Sequence, residues 1–524
     1  ITKDKRIVVE FEYADRNYLN SNIYLTNETN FNEKVKLRVG FFSNADAKNS
    51  PINQTLDAEQ KKFLDTLGDK IDQAFYPNAV IDTFSVEKIL YAKIDTVYNG
   101  GADTAEIYVY STDPSVAHYS LSFIYVGEQN GNYVPDLNGA NGKVYKWVAP
   151  EGGQKKGNFE PAIFLVTPKK QQLLNLGVDY QLDKKTTINA EVAMSTYDVN
   201  TFSSRDKGDD RGYATRVMVT NTQPLSSAQK GLRLTTNLGY EYVQDKFKPL
   251  ERLRNIEFTR DWGLPLSPVA QPVDETIITA GAQLADNKNN SVRYQFTSYN
   301  RDNTFKGIRN TITHTQNIRG WRFNNVFSLS TFSGTNEKGH FLRPTVDISR
   351  QFPRLANYII GANYAVEHNE VRRKVSDSVT EYSFSFSNLS VYLKSNPAKP
   401  NKWGITWFTR TNAYPLGTEL ATADRSQNVN VFAELLKSQK HQFRFTATYR
   451  TLEILNSVVT KQEADESMIG RAEYQINEWR GLVTGGLLYE VGAGQEQKRD
   501  FTFLEVPAGQ GEYTWIDYNN DGIQ

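Results

Sequence analysis

From residue 170 onward, about sixteen segments of roughly 9–13 residues alternate apolar with polar side chains. In one, Leu174, Leu176, Val178, Tyr180 and Leu182 share a face opposed by Asn175, Gly177, Asp179 and Gln181. The next sets Ile188, Ala190, Val192 and Met194 against Asn189, Glu191, Ala193 and Ser195. The same reading fits Leu232–Tyr242, Trp321–Ser330, Tyr358–Glu367 and Phe443–Arg450. A period of two sends successive side chains to opposite faces of a strand, so each segment presents one apolar and one polar side. A soluble β-sandwich can show this too, but its strands most often run about 5–6 residues, whereas a strand crossing a bilayer needs roughly 9–11.

The connections add a second regularity. Those at 183–185, 286–290, 317–320, 351–356, 396–401, 437–440 and 477–480 are brief, and those between them at 197–211, 246–274, 369–380, 415–427 and 452–467 are long, although 301–305 and 333–339 are only modest. Outer-membrane barrels have short periplasmic turns and long external loops. The expected fold is therefore all-β: a large antiparallel transmembrane β-barrel of about 16 or more strands, with long external loops and one short helical insertion. Parity places the five long loops at one end, the external one, together with the tail 493–524.

Composition agrees with this reading. The mean hydropathy of -0.56 argues strongly against a helical membrane protein, as does the lack of a run near 18 apolar residues, yet it suits a barrel whose interior and loops are hydrophilic. A chain of 524 residues exceeds what one globular core usually holds. Cys 0 removes disulfides and thiolate chemistry, and Lys+Arg 60 against Asp+Glu 60 gives no general attraction for nucleic acid.

Four regions are expected. Residues 1–127 form an N-terminal β region with a helical insertion at 45–87. Its strands at 1–44 either extend the barrel or make an accessory sheet. In the insertion, Asp57 with Gln60 reads as a capping box, Phe63, Leu64, Leu67 and Ile71 recur at helical spacing, and Gly68 reads as the stop. Residues 128–170 are a Gly/Asn/Pro-rich connection without regular structure, 171–492 the main barrel, and 493–524 an Asx/Gly-rich loop or truncated tail. The chain opens on Ile1 and closes on Gln524, and truncation at both ends is expected.

Three features bear on chemistry. Asp517, Asn519 and Asp521, followed by Gly522, match the opening of an Asp-x-Asn-x-Asp-Gly calcium loop, in which alternate oxygens surround a hard cation. The acid due at position twelve would lie beyond Gln524, so the site is incomplete; the alternative is an Asx-rich turn held by side-chain to backbone hydrogen bonds. A partial echo runs from Gly131 through Asp136 and Asn138 to Gly142. Asp198, Asn200, Asp206, Asp209 and Asp210 crowd loop 197–211 without a recognised spacing, which favours a solvated loop. The histidines His118, His314, His340, His368 and His441 are scattered, and Glu337 to His340 is a lone Glu-x-x-His in a Gly-containing stretch. No nucleophile elbow or phosphate loop is present, and no enzyme is expected.

The polar face itself carries the candidate function. Arg322, Arg343, Asp347, Glu367, Arg410, Arg444, Arg471 and Glu473 fall on the less apolar sides of successive segments and would line a barrel lumen.

Several phrases resemble a known group. Arg6 to Tyr18, Asn200 to Ser204 with the acidic stretch to Gly212, Glu257-Phe-Thr-Arg-Asp-Trp262 and Tyr513 to Gly522 are similar to large, poorly characterised outer-membrane proteins of the Bacteroidota and related phyla. More distantly the chain resembles the barrel of the type 9 secretion translocon. The resemblance implies the outer membrane of a Gram-negative bacterium and a barrel architecture, without naming a substrate. The expected function is a non-enzymatic barrel in transport, secretion or envelope assembly, in contact with outer-membrane lipid and partner subunits. It requires no cofactor, with calcium the one candidate ion. The alternative is a scaffold whose barrel anchors ligand-binding loops.

Overall fold

The computed structural model describes residues 5–13, 20–47, 54–136, 143–226, 231–264 and 272–492, with only the backbone given for 5–13. One sheet dominates. Its strands are β1 (Lys5–Tyr13), β2 (Asn20–Asn30), β3 (Val35–Asp46), β4 (Lys170–Gln181), β5 (Thr186–Asp198), β6 (Arg211–Pro224), β7 (Arg233–Val243), β8 (Glu275–Ala285), β9 (Ser291–Arg301) and β10 (Phe305–Ile318). They continue as β11 (Trp321–Gly334), β12 (Glu337–Phe352), β13 (Tyr358–Arg373), β14 (Phe384–Lys394), β15 (Asn401–Leu416), β16 (Glu419–Leu435), β17 (His441–Ile454), β18 (Asp465–Glu478) and β19 (Val483–Gly492).

Each strand pairs antiparallel with its sequence neighbours, and β3 pairs with β4 across the intervening 47–169. Open twisted sheets rarely exceed about 10 strands without curling, and this 19-stranded meander is the wall of a large up-and-down barrel. Among the described residues β1 and β19 are its two ends, and no pairing joins them.

Register converts the sequence alternation into two faces. Leu37, Val178, Ala190, Val217, Tyr240 and Ile278 stand opposite one another on β3 to β8. A second row runs through Phe323, Ile348, Ala362, Val391, Trp407, Val429, Tyr449 and Met468 on β11 to β18. These rows face outward and stay uncovered: Tyr240 is 44% exposed and Tyr449 45%, and Leu238 and Val192 on the same face are 58% and 51% exposed. Apolar surface on this scale exceeds what soluble monomers leave bare. No helix among the described residues is long and apolar enough to cross a membrane.

The N-terminal strands belong to the main sheet, which settles the choice between extending the barrel and forming a separate one. Following strand directions, the connections after β1, β3, β5, β7, β9, β11, β13, β15 and β17 leave from one end, and the turns between the other pairs from the opposite end. Four of the five expected long loops, at 199–210, 244–274, 374–383 and 455–464, share the first end with residues 47–169.

The fifth expectation is corrected. Residues 415–427 are no long loop: β15 and β16 run through them and turn at residues 417–418, where Gly417 takes a φ of 63°. Pro415 and Gly417 signal a break, but Pro415 lies past the last residue of β15 that β14 pairs, so its missing N–H costs no ladder bond on that side. The strands there extend beyond the apolar rows, where the outer face is polar and alternation fades.

Residues 54–136 and 143–165 form an insertion at the long-loop end, with small sheets of their own. Helix α1 (Ala58–Leu67) has the expected capping box, with the Asp57 carboxylate accepting from the Gln60 N–H and the Gln60 side chain accepting from the Asp57 N–H. Leu64, Leu56, Ala74 and Leu165 make its core. Residues 128–170, expected to be irregular, hold short strands at Tyr133–Asp136, Val144–Trp147, Phe159–Glu160 and Ala162–Phe164. Their aromatic residues supply the burial that Gly, Asn and Pro lack: Phe123 stacks on Tyr145 at 4.4 Å, and Tyr133 and Phe159 join them.

Candidate functional site

Loop 244–264 folds back onto the polar face, which identifies that face as the inner one. Its single-turn helix α2 (Phe258–Asp261) delivers Trp262, only 2% exposed, among Tyr299, Phe305, Phe332, Phe341 and Val371 from β9 to β13. The Trp262 ring lies 5.3 Å from Tyr299 and 6.5 Å from Phe305. Two glycines make the fit: Gly263 has a φ of 62° and no room for a Cβ beside Phe332, and a Cβ on Gly307 would come within 2.9 Å of the indole.

Charge fixes the same loop. Arg343 Nη1 lies 2.7 Å from Asp261 Oδ1, and Arg343 Nε lies 3.3 Å from Glu367 Oε1. Arg260 Nη2 reaches the same Glu367 oxygen at 2.7 Å, and Asn369 donates to it at 2.8 Å. Arg309 donates to the Asp261 carbonyl and sits 4.5 Å over the Trp262 ring. At the root of the loop, Arg254 bridges Glu241 and Glu275, and the Tyr299 hydroxyl donates to Glu275 at 2.9 Å. Charge-assisted bonds of this kind are roughly twice as strong as neutral ones, and partial burial limits their screening.

All eight charged residues expected on the polar face lie on it, by register. Arg343 and Glu367 belong to the loop network. Asp347 accepts from the Tyr392 hydroxyl at 3.3 Å, and the Arg410 guanidinium lies 3.7 Å over Phe386. Arg444 and Arg471 both pair with Glu473, and Arg471 also reaches Glu490 at 2.8 Å. Arg322 donates to Asn317 at 3.4 Å. Sequence reasoning missed Arg309, Arg260, Asp261 and Trp262, because nothing in a loop's composition says onto which strands it will fold.

Loop 199–210 grips the insertion. Asn200, fully buried, donates to the carbonyls of Leu64 and Gly68 at 2.8 Å each, Ser203 to Asp65 at 2.8 Å and Arg205 to Thr66 at 3.0 Å. The orphan carbonyls at the C-terminal end of α1 are thus capped by the barrel. Of the acidic residues in this loop, Asp209 and Asp210 converge with Asp69, with carboxylate oxygens within 4.8 Å of one another. Lys207 lies between Asp198, at 2.6 Å, and Asp210, at 3.8 Å. Burial, with Asp198 and Asp69 nearby, pushes the Asp210 carboxyl up to about 6 despite Lys207. Burial, then Asp209, raises Asp69 as well. Asp517, Asn519 and Asp521 lie outside the described residues, as do Asn138 and Gly142 of the echo, whereas Asp136 ends a short strand.

No protein-family model and no curated protein matches the chain. Among solved structures it is similar to the siderophore receptor PirA from Pseudomonas aeruginosa, at 8% identity and a TM-score of 0.34, covering 93% of this chain and 72% of the receptor. The FrpB iron transporter from Neisseria meningitidis gives 8% and 0.33, over 91% of this chain and 70% of the transporter. OccK9 from Pseudomonas aeruginosa gives 8% and 0.31, over 93% and 97%. Likeness this loose assigns no substrate and no mechanism.

Proposed function

We propose that the chain is a non-enzymatic barrel of a Gram-negative outer membrane, working in transport, secretion or envelope assembly with partner subunits, and that loop 244–264 narrows its lumen. The observation that carries this is the division of the sheet. The outer rows are apolar and bare, while the inner face is charged and holds a folded loop pinned through Trp262, Asp261 and Arg260. A bilayer stabilises the first and water the second. Strands of 9 to 17 residues reach across a hydrocarbon core, and the longest continue past it at the long-loop end.

Inside such a lumen, the Arg and carboxylate side chains of β10 to β13 would set what passes. Both signs are present, so the lining favours zwitterionic or mixed-charge cargo over a simple ion. The insertion 54–165, standing at the same end as the long loops, favours the second reading, a surface scaffold that captures a ligand before passage.

Single-channel recording in planar bilayers separates the two. A conducting barrel whose current rises several-fold when residues 250–264 are replaced by a short Gly/Ser linker supports the constricted-channel reading. Silence from both forms supports the scaffold.

A further inference from the structure

The lone Glu-x-x-His spacing of Glu337 and His340 does not form a site. Both residues lie in strand β12, where positions three apart point to opposite faces, and Glu337 is taken by the Tyr382 hydroxyl. Register gives His340 different neighbours. It stands directly across from Glu370 on β13, and His368 stands across from Leu342, two positions along. All three side chains project from the outer face: His368 shares a row with Leu342, His340 and Glu370 share the next, and the charged row of Lys338 and Arg372 follows.

We propose that His340, His368 and Glu370 form a binding site for a divalent transition-metal ion of the Zn2+ class. Their donor atoms lie within 4.8 Å of one another. The imidazole rings are 5.4 Å apart at 34°, and His368 Nε2 is 3.7 Å from Glu370 Oε2. Tetrahedral zinc with bonds of about 2.0–2.1 Å needs its donors roughly 3.3 Å apart, a closure within reach of small rotamer changes on a rigid two-strand platform. Cross-strand pairs at this spacing are natural places for two ligands to meet.

The neighbouring bonds favour the same use. His118 bonds the Ser115 carbonyl, His314 bonds Asn325, and His441 bonds Tyr474 and Glu478. His340 and His368 have no hydrogen-bond partner among the described residues, and these are the two histidines that face each other. Arg372 Nε holds Glu370 Oε1 at 2.7 Å, which orients the carboxylate and leaves Oε2 toward His368. Lys338 and Arg372 are both partnered by Asp377, so their charge at the site is offset. Two imidazoles and one carboxylate suit Zn2+ better than Ca2+ or Mg2+, which prefer all-oxygen shells. The fourth position is open to water. Bound metal would tie β12 to β13 where both strands pass the apolar rows.

The test uses the full chain purified in detergent and Zn2+ as the probe, with Co2+ as a spectroscopic substitute. The proposal expects one tightly held Zn2+ per chain and the intense visible bands of four-coordinate Co2+. H340A and H368A should each weaken Zn2+ binding by at least about tenfold, E370Q should weaken it less, and H314A and H441A should leave it unchanged. H340Q and H368Q provide a second pair, and far-UV circular dichroism checks that every variant keeps the sheet. Absence of stoichiometric Zn2+ on the wild-type chain overturns the proposal. So does an affinity indifferent to His340 and His368, or one lost equally with His314.

Discussion

The inner faces of two parts of the sheet have the same kind of sequence and different fates. On β9 to β13, Arg309, Arg343 and Glu367 are drawn into a partly buried cluster by loop 244–264, and Tyr299 beside them is fully buried. On β17 to β19, Arg444, Arg471, Glu473 and Glu490 pair only with one another, half-exposed, and every residue of β19 is exposed. Polar residues on a strand face are thus compatible with water or with a folded loop. What decides is whether a connection carries an anchor such as Trp262 and glycines that make room for it.

The largest effect should come from that anchor. Trp262→Ala removes the indole from a cluster of four aromatic rings, and loss of a buried Trp side chain costs roughly 3–5 kcal/mol. The loop should undock without unfolding the barrel, read as protease cleavage within 250–264 while the trypsin-resistant barrel persists. Gly307→Val should act in the same direction by occupying the indole's place.

Arg343→Ala comes next. It removes the cation shared by Asp261 and Glu367, which keep only Arg309 and Arg260, at a cost of about 2 kcal/mol, between the ~1 of an exposed pair and the ~3–5 of a fully buried one. Arg471→Ala on the bare side should change neither thermal stability nor protease resistance, because exposed pairs contribute little. Equal effects of the two substitutions would erase the contrast.

The grip of loop 199–210 on the insertion gives a pH-dependent case. Asp210 has a folded-state value near 6, above the ordinary carboxylate value of 3.8, so burial disfavours its ionised form. The penalty is absent below about pH 4, grows as pH rises toward 6, and is fully present above it, reaching up to about 3 kcal/mol. Asp210→Asn should therefore strengthen the docking of 54–165 at pH 7.5 and flatten its pH dependence between 4 and 6. Hydrogen exchange at α1 reads both changes.

The sheet was legible because lipid-facing and water-facing residues alternate along each strand: Leu174 to Leu182 and Phe443 to Tyr449 show their faces without any structure. The capping box at Asp57 and Gln60 was legible because it is local. Legibility ended where the signal left the chain's own period. At 415–427 the strands pass the apolar rows and lose their alternation, so the sequence there reads as a loop although β15 and β16 continue through it. The docking of Trp262, the capping of α1 by Asn200, and the meeting of His340 with His368 are each set by register or by the return of a loop, which no short spacing encodes.

The chain has no cysteine, so single introduced thiols can report the two faces without background. Nitroxide labels on Leu238→Cys, Val192→Cys and Leu329→Cys, and on the inward Asn237→Cys, Glu191→Cys and Ser328→Cys, are to be compared in reconstituted vesicles. The account predicts that the first three are quenched by oxygen dissolved in lipid and shielded from a water-soluble nickel chelate, with the opposite order for the second three. Water access at Leu238, Val192 and Leu329 equal to that at their inward neighbours would contradict it.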